Sequence, residues 1–125
     1  MKIAALTLSA VSLLPAYGMA QERPAFVGSY SIDCGADRQC WLVIDMLKPD
    51  AYLAIWTVSS RADFSDMKCG IPLFLRDTQD SYLRAGLDGK AVDIERQPGG
   101  RVLVQGLPAA RCGIDLTGSY DPVGD

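Results

Sequence analysis

The chain has 125 residues, a net charge of −3 at neutral pH, 49% apolar residues, four cysteines and no histidine. This length predicts one domain, and the apolar content is that of a folded protein rather than a disordered one. The slightly acidic charge argues against a nucleic-acid-binding surface. The absence of histidine excludes Ser-His-Asp and Cys-His catalysis and every histidine-ligated metal site.

The first segment, residues 1–20, has the pattern of a secretory signal peptide. Lys2 supplies a positive charge, an apolar run extends to Leu14, and Ala20 is a small residue where a signal peptidase would cleave. The run is too short for an uncleaved anchor, because a membrane span needs about 20 residues. We therefore expect an exported, soluble protein, periplasmic or secreted, in which residues 21–125 form a single β domain with no later membrane span.

Turn-forming residues recur about every ten positions in the rest of the chain, separated by short runs rich in β-branched and aromatic residues. This spacing predicts an all-β fold, a small antiparallel β-barrel or sandwich of about eight short strands. We place the strands near residues 26–33, 40–47, 52–58, 71–76, 80–85, 91–97, 101–106 and 114–120.

The same Gly-Ser-Tyr triplet occurs near both ends of this domain, at residues 28–30 and 118–120. A glycine within a strand marks a bend or a sharp coil. We therefore expect the first and last strands to pair and close the sheet.

The four cysteines are Cys34, Cys40, Cys69 and Cys112. An even number in a small exported domain predicts two disulfides, and the spacing is wider than the close pairs of a structural zinc site. We favour Cys34–Cys40 with Cys69–Cys112, and Cys34–Cys112 with Cys40–Cys69 remains the main alternative. Because no cysteine lies near the cleavage site, no lipid anchor is expected.

The second predicted hairpin, residues 41–58, is apolar on both faces, whereas a half-exposed strand pair is normally polar on one. A turn at Pro49-Asp50 would place Leu47 opposite Tyr52. That register predicts one shared face, either core or surface, formed by Trp41, Val43, Asp45, Leu47, Tyr52, Ala54, Trp56 and Val58.

Residues 59–68 resist assignment to a strand and are expected to form a loop or a short helix, from which Phe64 and Met67 could pack back on the sheet. If the aromatic face points outward, it forms a surface of the kind that partners recognise. The predicted binding residues are Trp41, Asp45, Tyr52, Trp56, Asp63 and Phe64.

The hairpin near the carboxyl end is regular. Residues 91–97 and 101–105 alternate between apolar and polar around a Pro-Gly-Gly loop, which sets Ile94 opposite Val104 and Arg96 opposite Val102. The polar face of this hairpin should be solvated.

Chemistry-bearing motifs are few. The acidic residues fit turns, and neither a calcium loop nor a phosphate-binding loop is present, so we expect no metal and no cofactor. We expect a non-enzymatic binding or inhibitor-type protein of the bacterial envelope, with an envelope protein or a small ligand as its partner. The alternatives are a structural accessory of an envelope complex and, less favoured, a hydrolase that uses Asp pairs such as Asp63–Asp66 or Asp77–Asp80.

Two resemblances accompany this prediction. The segment 28–47, GSYSIDCGADRQCWLVIDML, resembles the opening of invasion-associated locus B proteins, with a strand, a cysteine, a short loop, a second cysteine and an apolar strand. The overall plan resembles small disulfide-tied periplasmic β-barrels, which include bacterial inhibitors of C-type lysozyme. The inhibitors' Ser-Gly-containing loop has no counterpart, since the nearest stretch, Tyr82 to Gly86, lacks its pattern. Neither resemblance assigns functional residues.

Overall fold

A computed structural model describes residues 25–124, and the predicted signal peptide lies outside these residues. They form a closed antiparallel barrel of eight strands in chain order, which confirms the predicted all-β architecture. Short 3-10 turns cover Pro98–Gly100 and Ala109–Arg111. The strands are β1 (Gly28–Ile32), β2 (Arg38–Lys48), β3 (Ala51–Ser60), β4 (Met67–Asp77), β5 (Tyr82–Leu87), β6 (Lys90–Arg96), β7 (Val102–Gln105) and β8 (Gly118–Pro122).

The core lies inside the barrel and consists of alternate residues from each strand. Side chains of a strand point to opposite faces in turn, so every second position is directed inward. The largest fully buried side chains are Trp56 of β3 and Tyr120 of β8. Smaller aliphatic side chains fill the space around them, namely Leu42, Ile44, Leu75, Leu83, Val92, Ile94, Val102 and Val104.

The β6–β7 hairpin has the predicted register. Ile94 lies opposite Val104 and Arg96 opposite Val102. Its inward face is buried, whereas Asp93, on the other face, accepts two hydrogen bonds from Arg84 of β5 at 2.7 and 2.9 Å. The period-two pattern of this hairpin therefore determined its orientation correctly.

The predicted register of the β2–β3 hairpin is wrong by one residue. Met46, not Leu47, lies opposite Tyr52, and Leu42 lies opposite Trp56, because the register shifts between Met46 and Lys48 beside the turn. A bulge of this kind adds one residue to one strand. Since side chains alternate, the shift reverses the face of one whole strand relative to the other.

The two Gly-Ser-Tyr triplets lie on β1 and β8, which pair as predicted and close the barrel. Each tyrosine hydroxyl donates to the carbonyl four residues earlier, from Tyr30 to Phe26 at 2.8 Å and from Tyr120 to Leu116 at 2.6 Å. Gly118 has a φ of 130°, and a Cβ there would lie 3.0 Å from Ile32 Cδ1. In each triplet, the glycine allows the strand to begin with a sharp coil, and the tyrosine two residues later places a buried ring with a hydrogen-bonded hydroxyl in the core.

The disulfides are Cys34–Cys40 and Cys69–Cys112, which confirms the favoured pairing. The second disulfide fixes the β7–β8 loop to β4. Arg111 of the same loop binds Asp88, in the β5–β6 turn, with two hydrogen bonds of 3.0 and 3.2 Å. Among residues 25–124, no helix has the length and apolarity to cross a membrane.

The seam between β4 and β5 is paired at one end only. Arg76 lies opposite Arg84 and Asp77 opposite Leu83, and beyond these pairs the two strands separate. By contrast, β4 pairs with β3 along nearly its whole length, from Arg76 to Cys69 and again at Met67.

Candidate binding surface

Six apolar side chains on the outward faces of β2, β3 and β4 lie next to one another and form a surface that we call the outer wall. Its rows follow from the register: Val43 lies beside Ile55, and Ile55 beside Pro72. In the next row, Leu53 lies beside Phe74, of which 69% is exposed. The side chains of the outer wall are Trp41, Val43, Leu53, Ile55, Pro72 and Phe74.

Two more large apolar side chains extend the outer wall, Phe64 in the β3–β4 loop and Met67 at the start of β4. Phe64, 57% exposed, packs edge-on against Trp41 with ring centroids 5.7 Å apart. Met67, 61% exposed, begins β4 close to Gly70. Of the predicted loop or short helix at 59–68, only residues 61–66 form a loop, because the residues on either side belong to β3 and β4. Phe64 packs on Trp41 at the outer face of the sheet.

Hydrogen bonds hold this loop in place. Arg61 donates to the carbonyl oxygens of Arg38 at 3.0 Å and Gly35 at 3.2 Å, which ties the loop to the disulfide-closed β1–β2 loop. Asp63 accepts from both the amide and the hydroxyl of Ser65, and these bonds lower the pKa of its carboxyl group. The position of Phe64 is thus set by neighbours on both sides.

The six predicted binding residues divide between the two faces of the sheet. Trp41 and Phe64 are in contact on the outer wall, and Asp45 is exposed on the same face, opposite Leu53. Asp63 is exposed in the β3–β4 loop. Tyr52 and Trp56 point into the barrel and are buried. The predicted face shared by Trp41 and Trp56 is therefore wrong, and the cause is the one-residue register shift.

Four outer-wall residues were missed by the sequence analysis: Leu53, Ile55, Pro72 and Phe74. Residues 71–75 are apolar at every position, and the structure buries Ile71, Leu73 and Leu75 while leaving the two between them outside. The lack of polar residues at alternate positions of this strand could have indicated the outer wall. A strand that is apolar on both faces either has both faces covered or leaves one face available to a partner.

Three of the four carboxylates of the predicted Asp pairs, those of Asp63, Asp66 and Asp77, accept hydrogen bonds in turns or form an ion pair. Asp77 accepts from the Gln79 amide at 2.8 Å, and Asp66 pairs with Lys68 at 3.0 Å. Among residues 25–124, no group of three or more potential ligands could hold a metal ion.

Cavities lie at both ends of the barrel. One, of about 500 Å³, is lined by Arg38, Val58, Lys68 and Ile114 among others. The other, of about 300 Å³, is lined by Phe26, Tyr52, Asp77, Gln79, Ser81 and Arg96. Burial raises the pKa of Tyr52, and the charge of Asp77 adds to the effect, so this tyrosine stays neutral at physiological pH.

Two buried side-chain atoms in the described part of the chain lack a hydrogen bond of good geometry, Trp56 Nε1 and Ser59 Oγ. Burial raises the pKa of the Tyr120 hydroxyl, and the nearby Trp56 N–H offsets only part of this increase. These atoms belong to the core and the edge of the β3–β4 loop, not to the outer wall.

No protein-family model matches the chain, and neither the curated proteins nor the solved structures include a significant match. A function for this surface therefore has to come from its own residues.

Proposed function

We propose that this chain is an exported, non-enzymatic binding or inhibitor-type protein of the bacterial envelope, periplasmic or secreted, that recognises a partner protein through the outer wall. The observation that carries the proposal is the apolar row of Val43, Ile55 and Pro72 across β2–β4, with the exposed Phe74 next to it on β4. Contiguous apolar patches are uncommon on proteins that act alone and mark interaction sites.

The residue types of the outer wall support a protein partner. Interfaces are enriched in aromatic residues and methionine at their centres, and the surface combines Trp41, Phe64, Met67 and Phe74. Its shape also favours a protein, because the outside of a barrel is an open surface, whereas small ligands prefer enclosed pockets.

Export is supported by the disulfides. Two disulfides in a domain of this size are typical of oxidising compartments such as the bacterial periplasm. They also compensate for the limited core that a small domain can bury.

Two carboxyl groups, including that of Asp63 from the predicted Asp pairs, support the non-enzymatic part of the proposal. A glycosidase-type general acid needs a raised pKa, but hydrogen bonds lower the pKa values of Asp63 and Asp115. Both side chains are occupied as acceptors for neighbouring loop residues, Ser65 and Thr117.

Site-specific photo-crosslinking in intact cells tests the proposal. A photoreactive phenylalanine analogue is placed at Phe74 or Ile55 on the outer wall, and at Glu95 or Gln105 on the opposite side of the barrel as the control. We expect one adduct of the same size from both wall positions and none from the control positions. Equal adducts from both sides, or none from the wall, would contradict the proposal.

A further inference from the structure

One edge of β4 is unpaired next to the outer wall. β3 pairs with β4 along one edge, whereas β5 pairs with the other edge only at Arg76 and Asp77. Within residues 25–124, no strand pairs with this second edge between Cys69 and Leu75. The open stretch from Gly70 to Phe74 is about 16 Å long, at about 3.3 Å per residue.

The direction of the backbone groups follows from the antiparallel ladder. In such a ladder, both polar groups of a residue point to the same side, and the side alternates along the strand. The Asp77 amide donates to Asp50, beside β3, at 3.0 Å. The backbone N–H and C=O groups of odd-numbered residues in this stretch therefore point to β3. Those of Gly70, Pro72 and Phe74 point to the open edge, except that Pro72 has no N–H.

These three residues are exposed, and within residues 25–124 none of them is paired with a residue of β5. Pro72 fits this position because it has no N–H to leave unpaired, and prolines in sheets are confined to edges. Pro72 lowers the tendency of this edge to pair with other strands but does not block it, because the Gly70 and Phe74 amides and the carbonyls of all three residues point to the open side.

The closed end of the seam carries an unbalanced positive charge. Arg76 lies directly opposite Arg84. Asp93 neutralises Arg84 through two hydrogen bonds, but no ion pair within residues 25–124 involves Arg76. Like charges in opposite positions destabilise a strand pair, so an added carboxylate would be favoured here.

We propose that an extended segment of the partner protein adds to the open edge of β4 as an antiparallel strand, with apolar side chains over the outer wall and an acidic residue at its amino end beside Arg76. The inference rests on the proposed function and adds that the bound part of the partner protein is an extended strand. The Gly70 and Phe74 backbone groups on this edge would supply main-chain hydrogen bonds, and the exposed Pro72 and Phe74 of the outer wall would lie beside alternate side chains of the added strand.

The first test uses a synthetic peptide, Glu-Val-Thr-Val-Thr-Val-Thr-Val, as the probe. We expect binding that slows amide hydrogen exchange at Gly70 and Phe74, which exchange rapidly in the free protein. N-methylation of one alternate set of peptide residues should weaken binding more than about tenfold, because several hydrogen bonds are lost. N-methylation of the other set should be tolerated, and a Lys in place of the Glu should weaken binding.

Absence of peptide binding, equal tolerance of both N-methylated peptides, or protection of both amides in the free protein would overturn the proposal. A dimer of this chain that dissociates on Gly70→Pro would also overturn it, because the occupant would then be a second copy.

A second test separates this inference from the proposed function. Gly70→Pro removes an edge N–H and leaves the outer-wall side chains in place, whereas Gly70→Ala keeps the N–H. An alanine Cβ would lie 3.7 Å from Met67 Sδ and 3.9 Å from the Trp56 carbonyl oxygen, which is ordinary contact. Thermal unfolding checks that both variants fold.

We expect the crosslink from Phe74 to persist in Gly70→Ala and to fall sharply in Gly70→Pro. Equal crosslinking in both variants would overturn strand addition and leave the proposed function standing. Absence of a crosslink in the unsubstituted chain would overturn the proposed function itself.

Discussion

The two halves of the barrel bury similar inner faces but differ outside. In β5–β7 the outer positions carry Arg84, Asp93 and Gln105, and the first two form a bidentate ion pair. In β2–β4 the equivalent outer positions carry Ile55 and Phe74. Packing of the core explains the apolar inner faces of both halves. Exposure to solvent explains the polar outer face of β5–β7 but not the apolar outer face of β2–β4. Solvent exposure does not explain the apolar outer face, which is why we propose that it contacts another molecule.

The largest expected effect contrasts the two tryptophans. Trp56→Ala should reduce the free energy of unfolding by about 3–5 kcal/mol, because it removes a fully buried side chain and leaves a cavity. Trp41→Ala should cost about 1 kcal/mol or less, since the side chain is half-buried on the outer wall. Urea unfolding of the two variants measures both values, and equal losses would contradict the observed register.

The disulfides provide the second contrast. Replacing Cys69 and Cys112 with alanine should cost about 4 kcal/mol in the chain-entropy model, because that disulfide closes a long loop. The same change at Cys34 and Cys40 should cost about 2 kcal/mol, because only six positions separate the two cysteines. Denaturant unfolding of the two double variants compares them, and a reversed order would show that the β7–β8 loop is not held mainly by its disulfide.

Neighbouring residues of β4 provide a third contrast, between the two faces of one strand. Leu73→Ala should cost about 2–3 kcal/mol, because the side chain is only 8% exposed inside the barrel. Phe74→Ala should change stability by less than about 0.5 kcal/mol, since its side chain is exposed. Chemical unfolding checks the pair. A large loss at Phe74 would mean that the outer wall is needed for folding, which would weaken its assignment to a partner.

The smallest expected effect concerns acid. Arg111 lowers the pKa of the exposed Asp88 carboxyl below its ordinary value of 3.8. The carboxylate therefore contributes stability above that ordinary pKa, and the contribution is lost as the pH falls through the lower folded-state value. Asp88→Asn should thus reduce the difference in urea midpoint between pH 7 and pH 3 slightly. An unchanged difference would indicate that the ion pair with Arg111 does not form in solution.

Much of the fold could be predicted from local patterns. Turn residues and period-two alternation identified the eight strands, and the regular β6–β7 hairpin had its register set by a short Pro-Gly-Gly loop. The last strand begins at Gly118 rather than near Ile114, because the preceding loop is held by the Cys69–Cys112 disulfide and by Arg111. Such long-range restraints leave little trace in the local sequence.

The candidate site was harder to predict because both faces of β2–β3 are apolar. When one face is polar, a slipped register exposes apolar side chains and is strongly disfavoured. Here either face could be turned inward, so the bulge near Leu47 decided the orientation, and turn geometry alone did not reveal it. The sequence left open whether this aromatic face was core or surface, and it placed the buried Tyr52 and Trp56 on the same face as Trp41 and missed Phe74.

Iodide quenching of single-tryptophan variants tests most directly the central claim that this sheet has a core face and a free apolar face. In Trp56→Phe, the remaining Trp41 should be quenched by iodide in the folded protein. In Trp41→Phe, the remaining Trp56 should resist quenching until the protein unfolds, because it is fully buried. Equal quenching of the two, or quenching of Trp56 alone, would contradict the account.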